Sequence, residues 1–205
     1  MLAIIDYGVG NIFSLSASLK TLGQDAVLTS DIKTIEQSDR IILPGVGAFR
    51  DAAEKLRETG MWDVVLSEAA KGKPILGICL GMQMLFDKSY EYGEYEGLGL
   101  ISGDVVPISS VTDADLKIPH MGWNSLSFPE GKEKSRLYKY TNEGDYVYFV
   151  HSYCAANCES AVSAKTHYGA DLTASAENGN VYGTQFHPEK SGNIGLKILK
   201  AFCEI

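Results

Sequence analysis

The sequence predicts an α/β sandwich centred on a mixed, mostly parallel sheet, and three observations carry that expectation. Short, nearly continuous apolar runs suit strands buried on both faces. Stretches of helical spacing separate these runs early in the chain, the alternation expected of a parallel sheet flanked by helices. From Leu98 onward the pattern shifts to shorter strands and turns, which places antiparallel strands in the C-terminal half.

Leu2–Ile5 is the first apolar run and closes at Asp6-Tyr7-Gly8-Val9-Gly10-Asn11. Ile12, Leu15, Leu19 and Leu22 then share one helical face ahead of Gly23, with Asn11 available to cap the start. Residues 26–28 and Arg40–Leu43 read as strands across a short polar segment. Pro44-Gly45-Val46-Gly47-Ala48-Phe49 makes a glycine-bearing turn, and helical segments are expected over 49–59 and 62–70. Pro74-Ile75-Leu76 suits a buried strand, and the apolar spacing of 80–86 suits the first turns of a helix. The polar, aromatic-rich stretch 88–97 reads as a loop that could lie over a site. Further strands are expected over 99–107, 123–128, 146–153, 161–167, 172–176 and 180–186. Glu177-Asn178-Gly179-Asn180 suits a hairpin turn because Asn-Gly tolerates positive φ. Ile194, Ile198, Leu199 and Phe202 lie near one face of a final helix over 193–202.

A chain of 205 residues is long enough for one sizeable core, and a single domain over 1–205 is the simplest reading. Its net charge of -8 argues against general attraction to nucleic acid or anionic membrane. Four cysteines at this length suit a reducing cytosol rather than a disulfide scaffold. The start, Met1-Leu2-Ala3-Ile4-Ile5-Asp6, lacks the basic region of a signal peptide, so a cytoplasmic location is expected. Metal ions and organic cofactors have no positive support. Gly8-Val9-Gly10 stands where a dinucleotide fingerprint would begin, but Phe13 occupies the third glycine position.

The chemistry concentrates at Gly77-Ile78-Cys79-Leu80-Gly81-Met82-Gln83. A cysteine at a strand-to-helix seam, framed by glycines two residues away on each side, reads as a nucleophile elbow with sulfur as the attacking atom. Far along the chain, Gln185-Phe186-His187-Pro188-Glu189 offers a base and an orienting carboxylate, projecting to one face if the segment is extended. Cys154, Cys158 and Cys203 are assigned structural or incidental roles. His120 and His151 suit either substrate binding or a satisfied structural place, and His167 lies in a polar turn region.

These motifs closely resemble those of the class I glutamine amidotransferases, and more specifically of their members that serve as glutaminase subunits of imidazole glycerol phosphate synthase. The two blocks around Cys79 and His187 carry the general likeness. The blocks 6–11, 44–49, His120-Met121-Gly122-Trp123-Asn124, His151-Ser152-Tyr153 and Glu189-Lys190-Ser191 carry the specific one, in order across nearly the whole chain. The resemblance implies a three-layer fold and hydrolysis of glutamine to glutamate and ammonia by Cys79, His187 and Glu189. It implies an oxyanion hole from the backbone of Val46 and Leu80, with substrate held by Gln83, His151, Ser152 and Tyr153. It further implies a (β/α)₈ cyclase partner, expected as a separate polypeptide, that uses the ammonia to make imidazole glycerol phosphate and an aminoimidazole carboxamide ribotide. Trp123 and Tyr148 resemble residues that face that cyclase; the alternative is that both fill this chain's own core. Another ammonia acceptor, an unrelated thiol hydrolase and a noncatalytic partner remain open readings of the same residues.

Overall fold

A computed structural model describes residues 1–112 and 115–205. Seven strands form the central sheet in the order β11-β12-β13-β4-β3-β1-β2. They are β1 (Leu2–Ile5), β2 (Ala26–Thr29), β3 (Arg40–Leu43), β4 (Ile75–Ile78), β11 (Val162–His167), β12 (Asp171–Asn178) and β13 (Val181–Thr184). The first four and β13 run parallel, whereas β12 and β11 close one edge antiparallel. The expected mixed, mostly parallel sheet is therefore present, with its antiparallel part late in the chain.

Alternation along the parallel strands divides the core into two layers. Ala3, Ile5, Ile41, Leu43 and Ile75 face one side, packing with α3 (Phe49–Glu58) and α4 (Met61–Ala70). Leu2, Ile4, Ile42, Leu76 and Ile78 face the other, against α1 (Ile12–Thr21) and α6 (Gly192–Cys203). Two smaller sheets flank this frame: β10-β7-β5-β6 and the pair β8-β9. Their strands are β5 (Phe86–Ser89), β6 (Tyr95–Glu96), β7 (Ile101–Pro107), β8 (His120–Ser125), β9 (Tyr146–His151) and β10 (Tyr153–Ala156). Among the described residues, no helix is long and apolar enough to cross a membrane.

Several local expectations need correction. The helix after Cys79 is a single turn, α5 (Leu80–Gln83), because the chain leaves at Phe86 to pair as β5 with β7. Stretch 88–97 is a loop only in its middle, since its ends pair as β5 and β6. The polar segment before β3 contains a short helix, α2 (Ile32–Gln37), whose start Asp31 caps through Thr34 N. The strand expected over 146–153 breaks at Ser152: β9 pairs with β8, and β10 crosses to pair with β7. Asn11 places no side-chain cap on α1. The Asn-Gly turn is as expected, with Gly179 at φ +60 and Asn178 paired with Val181.

Backbone packs directly on backbone beneath the elbow. A Cβ on Gly45 would lie 2.7 Å from Gly81 N, and one on Gly77 2.6 Å from Gly81 O. A Cβ on Gly81 would overlap the Leu43 carbonyl. Gly81→Ala is therefore expected to destabilise the fold by ~3 kcal/mol or more, the upper end for overpacking, because neither backbone can yield. Urea unfolding checks this, and a midpoint within error of the parent would refute it.

Candidate active site

The end of β4, an interior strand of the sheet, delivers Cys79 at φ 55, ψ -112, a left-handed conformation that strains any residue with a Cβ by about 1–3 kcal/mol. The elbow is held by Cys79 N donating to Thr184 O of β13 (2.7 Å) and by Gln83 N donating to Cys79 O (3.1 Å). Cys79 itself is 8% exposed, at the floor of a cleft of about 370 Å³ that suits a small metabolite. Val46, Leu80 and Gln83 share that cleft with His151, Ser152 and Tyr153.

His187 and Glu189 reach the site in a different way from the extended segment expected. His187 precedes a 3-10 turn, Pro188–Lys190, with Pro188 at its first position, where a missing N–H is harmless. The turn is docked by His187 N donating to Tyr148 O (3.0 Å) and by Ser191 Oγ donating to His187 O (2.7 Å). Within it, His187 Nδ1 donates to Glu189 Oε1 at 2.8 Å, with the two side chains 2% and 3% exposed. Burial alone would push the His187 imidazole down; its hydrogen bonds and charge attraction with Cys79 and Glu189 outweigh this and raise it to about 9. The histidine is thus held in its charged form, facing the sulfur, through the neutral range.

Asn11 supplies a partner that sequence reasoning missed. Its Nδ2 donates to Glu189 Oε1 at 3.3 Å, so the turn after β1 steadies the carboxylate that steadies His187. The sequence signals it only through its place in the block 6–11, where its position suits a helix cap instead.

The loop bearing Val46 sits directly over the elbow. Tyr7 Oη donates to Pro44 O (2.7 Å), and Gly47 adopts φ +95, a conformation glycine alone enters freely. Glu91 of the segment between β5 and β6 accepts from Phe49 N at 2.5 Å, capping α3 from outside its own loop. Glu91 and Tyr92 also line the cleft, which gives 88–97 the position over the site that its composition suggested. Leu80 is the first residue of α5, so its N–H belongs to the helix-start donors that no intrahelical carbonyl satisfies.

His120 and His151 form a buried pair across β8 and β9. Tyr153 O can only accept, so His151 Nδ1 donates to it (2.8 Å) and His151 Nε2 must accept. His120 Nδ1 then donates to His151 Nε2 at 3.0 Å, and Asn124 Nδ2 donates to His120 Nε2 at 3.4 Å. Both imidazoles are neutral in this chain. Burial drives His120 down to about 4, and burial together with the nearby His120 and His187 charges drives His151 down to about 3. The unfolded chain binds protons at these residues from the ordinary histidine value of about 6.5 downward. Their stabilisation is accordingly complete above that value and is lost as pH falls through the folded values. Urea midpoints are expected to drop between pH 6.5 and 4, with a shallower drop in His120→Gln. Equal slopes would refute the pairing. His167, by contrast, ends β11 with an exposed contact to Asp171 and lies outside the cleft.

Trp123 and Tyr148 are directly opposed on β8 and β9, edge to face at 6.1 Å. Trp123 is 55% exposed, so it does not fill the core. Met121 and Tyr146 extend the same exposed face. Cys154, Cys158 and Cys203 are free and buried, and Cys158 Sγ contacts Thr173 Oγ1 at 3.7 Å. Among the described residues, no group of His, Cys, Asp and Glu is arranged to hold a metal ion.

The model of the class I glutamine amidotransferase family matches residues 3–204. The imidazole glycerol phosphate synthase subunit HisH of Oceanobacillus iheyensis is 47% identical over 206 residues, covering 100% of this chain and 99% of the relative. Its counterpart from Caldanaerobacter subterraneus subsp. tengcongensis is 50% identical over 206 residues, covering 100% and 98%. Among solved structures, a crystal structure of a glutamine amidotransferase superposes with a TM-score of 0.75 at 20% identity, covering 98% of this chain and 97% of the other. PurLQS from Thermotoga maritima superposes at 0.73 with 22% identity, covering 99% and 97%. The two structures establish the shared three-layer α/β architecture, and the family match with the relatives of high identity establishes membership. The chain belongs to the class I glutamine amidotransferase family and is an enzyme of that kind.

Proposed function

We propose that this chain is the glutaminase subunit of an imidazole glycerol phosphate synthase. In this reading it hydrolyses glutamine through a Cys79 thioester and passes ammonia to a (β/α)₈ cyclase, in the cytoplasm and within histidine biosynthesis. The observation that carries it is that Cys79 and His187 share one cleft while Glu189 holds the far side of the His187 ring, in a chain 47–50% identical to HisH subunits.

Cys79 Sγ attacks the side-chain amide carbon of glutamine, forming a C–S bond as the carbonyl electrons move to oxygen. Val46 and Leu80 N–H groups receive that charge, and His187 gives its proton to the departing ammonia. The neutral imidazole then takes a proton from water as it attacks the thioester, and glutamate leaves as the C–S electrons return to sulfur. Glu189 keeps the His187 ring oriented throughout. Gln83 commits both Nε2 hydrogens within the protein, to Tyr153 O and Gln185 Oε1, so its Oε1 is the end left to meet substrate. The backbone of His151, Ser152 and Tyr153 lines the wall for the amino-acid end; Ser152 O already accepts from Ile108 N at 2.9 Å.

The exposed Trp123–Tyr148 face adjoins the His187 turn, since Tyr148 O accepts from His187 N. Ammonia released at Cys79 would emerge beside it. Glutamate release should be measured for the chain alone and with a candidate cyclase plus its phosphorylated acceptor. Strong partner-dependent turnover is expected. A verified complex that stays inactive would point to a different acceptor enzyme or a noncatalytic role. Trp123→Ala and Tyr148→Ala are each expected to weaken cyclase binding by at least ~2 kcal/mol, the size of an aromatic hot spot. Parental affinity in both folded variants, measured by calorimetry, would remove the interface assignment.

A further inference from the structure

Gln185 follows β13, is fully buried, and is anchored by its N–H donating to Ala174 O at 2.8 Å. It does not line the cleft. Its side chain nevertheless reaches the reacting atom, with Nε2 3.7 Å from Cys79 Sγ.

Which end of the amide faces the sulfur follows from the surrounding donors and acceptors. Tyr153 O accepts only, so the neighbouring Gln83 must present its NH₂ end there, at 3.2 Å. The same NH₂ group lies 3.0 Å from Gln185, which must answer with Oε1. Gln185 is left with its NH₂ end toward Cys79. The neutral His120–His151 pair extends the order by fixing the donor that shares Tyr153 O. A chain of oriented hydrogen bonds thus runs from Asn124 on β8, through the cleft wall, to the sulfur.

We propose that Gln185 is a positioning residue of the glutaminase reaction, aiming Cys79 Sγ into the cleft and receiving negative charge on sulfur through its Nε2–H. This rests on the reading of Cys79 as nucleophile. An N–H directed at sulfur favours charge there. It acts before attack, and again when the thioester C–S bond breaks and its electron pair returns to Sγ. Gln185 does not line the cleft, and Tyr153 O still holds the Gln83 amide in its absence, so its loss alters the chemical steps and leaves substrate affinity nearly intact.

The test compares parent, Gln185→Met and Gln185→Glu. Methionine keeps length and removes the donor, whereas glutamate keeps shape and sets an acceptor against the sulfur. Iodoacetamide labelling of Cys79 at pH 8, read on its peptide by mass spectrometry, requires neither glutamine nor partner. Labelling is expected to fall about threefold in the methionine variant and at least tenfold in the glutamate variant. In the cyclase complex, kcat is expected to follow the same order, with KM within twofold of the parent. Parental labelling in folded Gln185→Met overturns the proposal, as does a loss confined to KM. If Gln185→Glu fails to fold, the methionine variant decides alone. A parent complex without glutaminase activity would refute the functional reading separately, and the labelling order would still decide the role of Gln185 toward the thiol.

Discussion

Replacing Cys79 with alanine is expected to lower glutamine hydrolysis by the partnered enzyme at least ~10⁴-fold, the scale seen when a covalent nucleophile is removed. The other buried cysteines offer no substitute, because none lies in the cleft with His187. Ammonia supplied directly should still support the cyclase in the variant complex, separating loss of chemistry from loss of partnership. The elbow adds a second readout. Cys79 holds φ 55 against the preference of any residue with a Cβ, and alanine keeps that strain. Cys79→Gly is expected to be equally inactive yet more stable than Cys79→Ala by ~1 kcal/mol, since glycine enters this region freely. Retained hydrolysis in either variant would remove Cys79 from the mechanism. Equal stability of the two would show that the elbow carries no strain.

Glu189→Gln is expected to lower kcat by about 10²–10⁴-fold with little change in KM, as when the orienting carboxylate of a nucleophile–histidine pair becomes an amide. The amide keeps the shape and removes the charge. The amide carbonyl can still accept from His187 Nδ1 and Asn11 Nδ2 at the Oε1 place, while its NH₂ takes the place of Oε2, so the loss reports on charge rather than on hydrogen bonding. The pH behaviour should follow. His187, raised to about 9, holds its proton across the neutral range, and its contribution to stability is complete below the ordinary histidine value and lost as pH rises through 9. Without the carboxylate, the alkaline decline in kcat should move to lower pH. A parental profile with parental kcat would show that Glu189 neither orients nor charges the imidazole. Asn11→Ala is expected to act in the same direction more weakly, because it leaves Glu189 in place.

The sequence by itself determined the α/β class, the parallel core and which groups are candidates for the chemistry. Apolar runs such as Leu2–Ile5 and Ile75–Ile78 carry their two-sided burial in their composition, since strands covered on both faces admit no polar alternation. Gly77, Cys79 and Gly81 announced a tight turn because only glycine permits backbone contact at that spacing, and the Gly81–Leu43 approach is the physical reason. Element ends were less legible. The apolar residues of 80–86 satisfy a helix and a strand equally, and the choice fell to β7, which pairs with Phe86. The tertiary structure alone decided which polar groups meet. Asn11 bonds Glu189 across 178 residues, Gln83 bonds Gln185 across 102, and His120 bonds His151 across 31. No local period records such pairings, because a hydrogen bond between distant side chains depends on strand order, register and the path of every intervening loop. Likewise, only the pairing of β8 with β9 as a separate two-stranded sheet decided that Trp123 stands exposed rather than in the core.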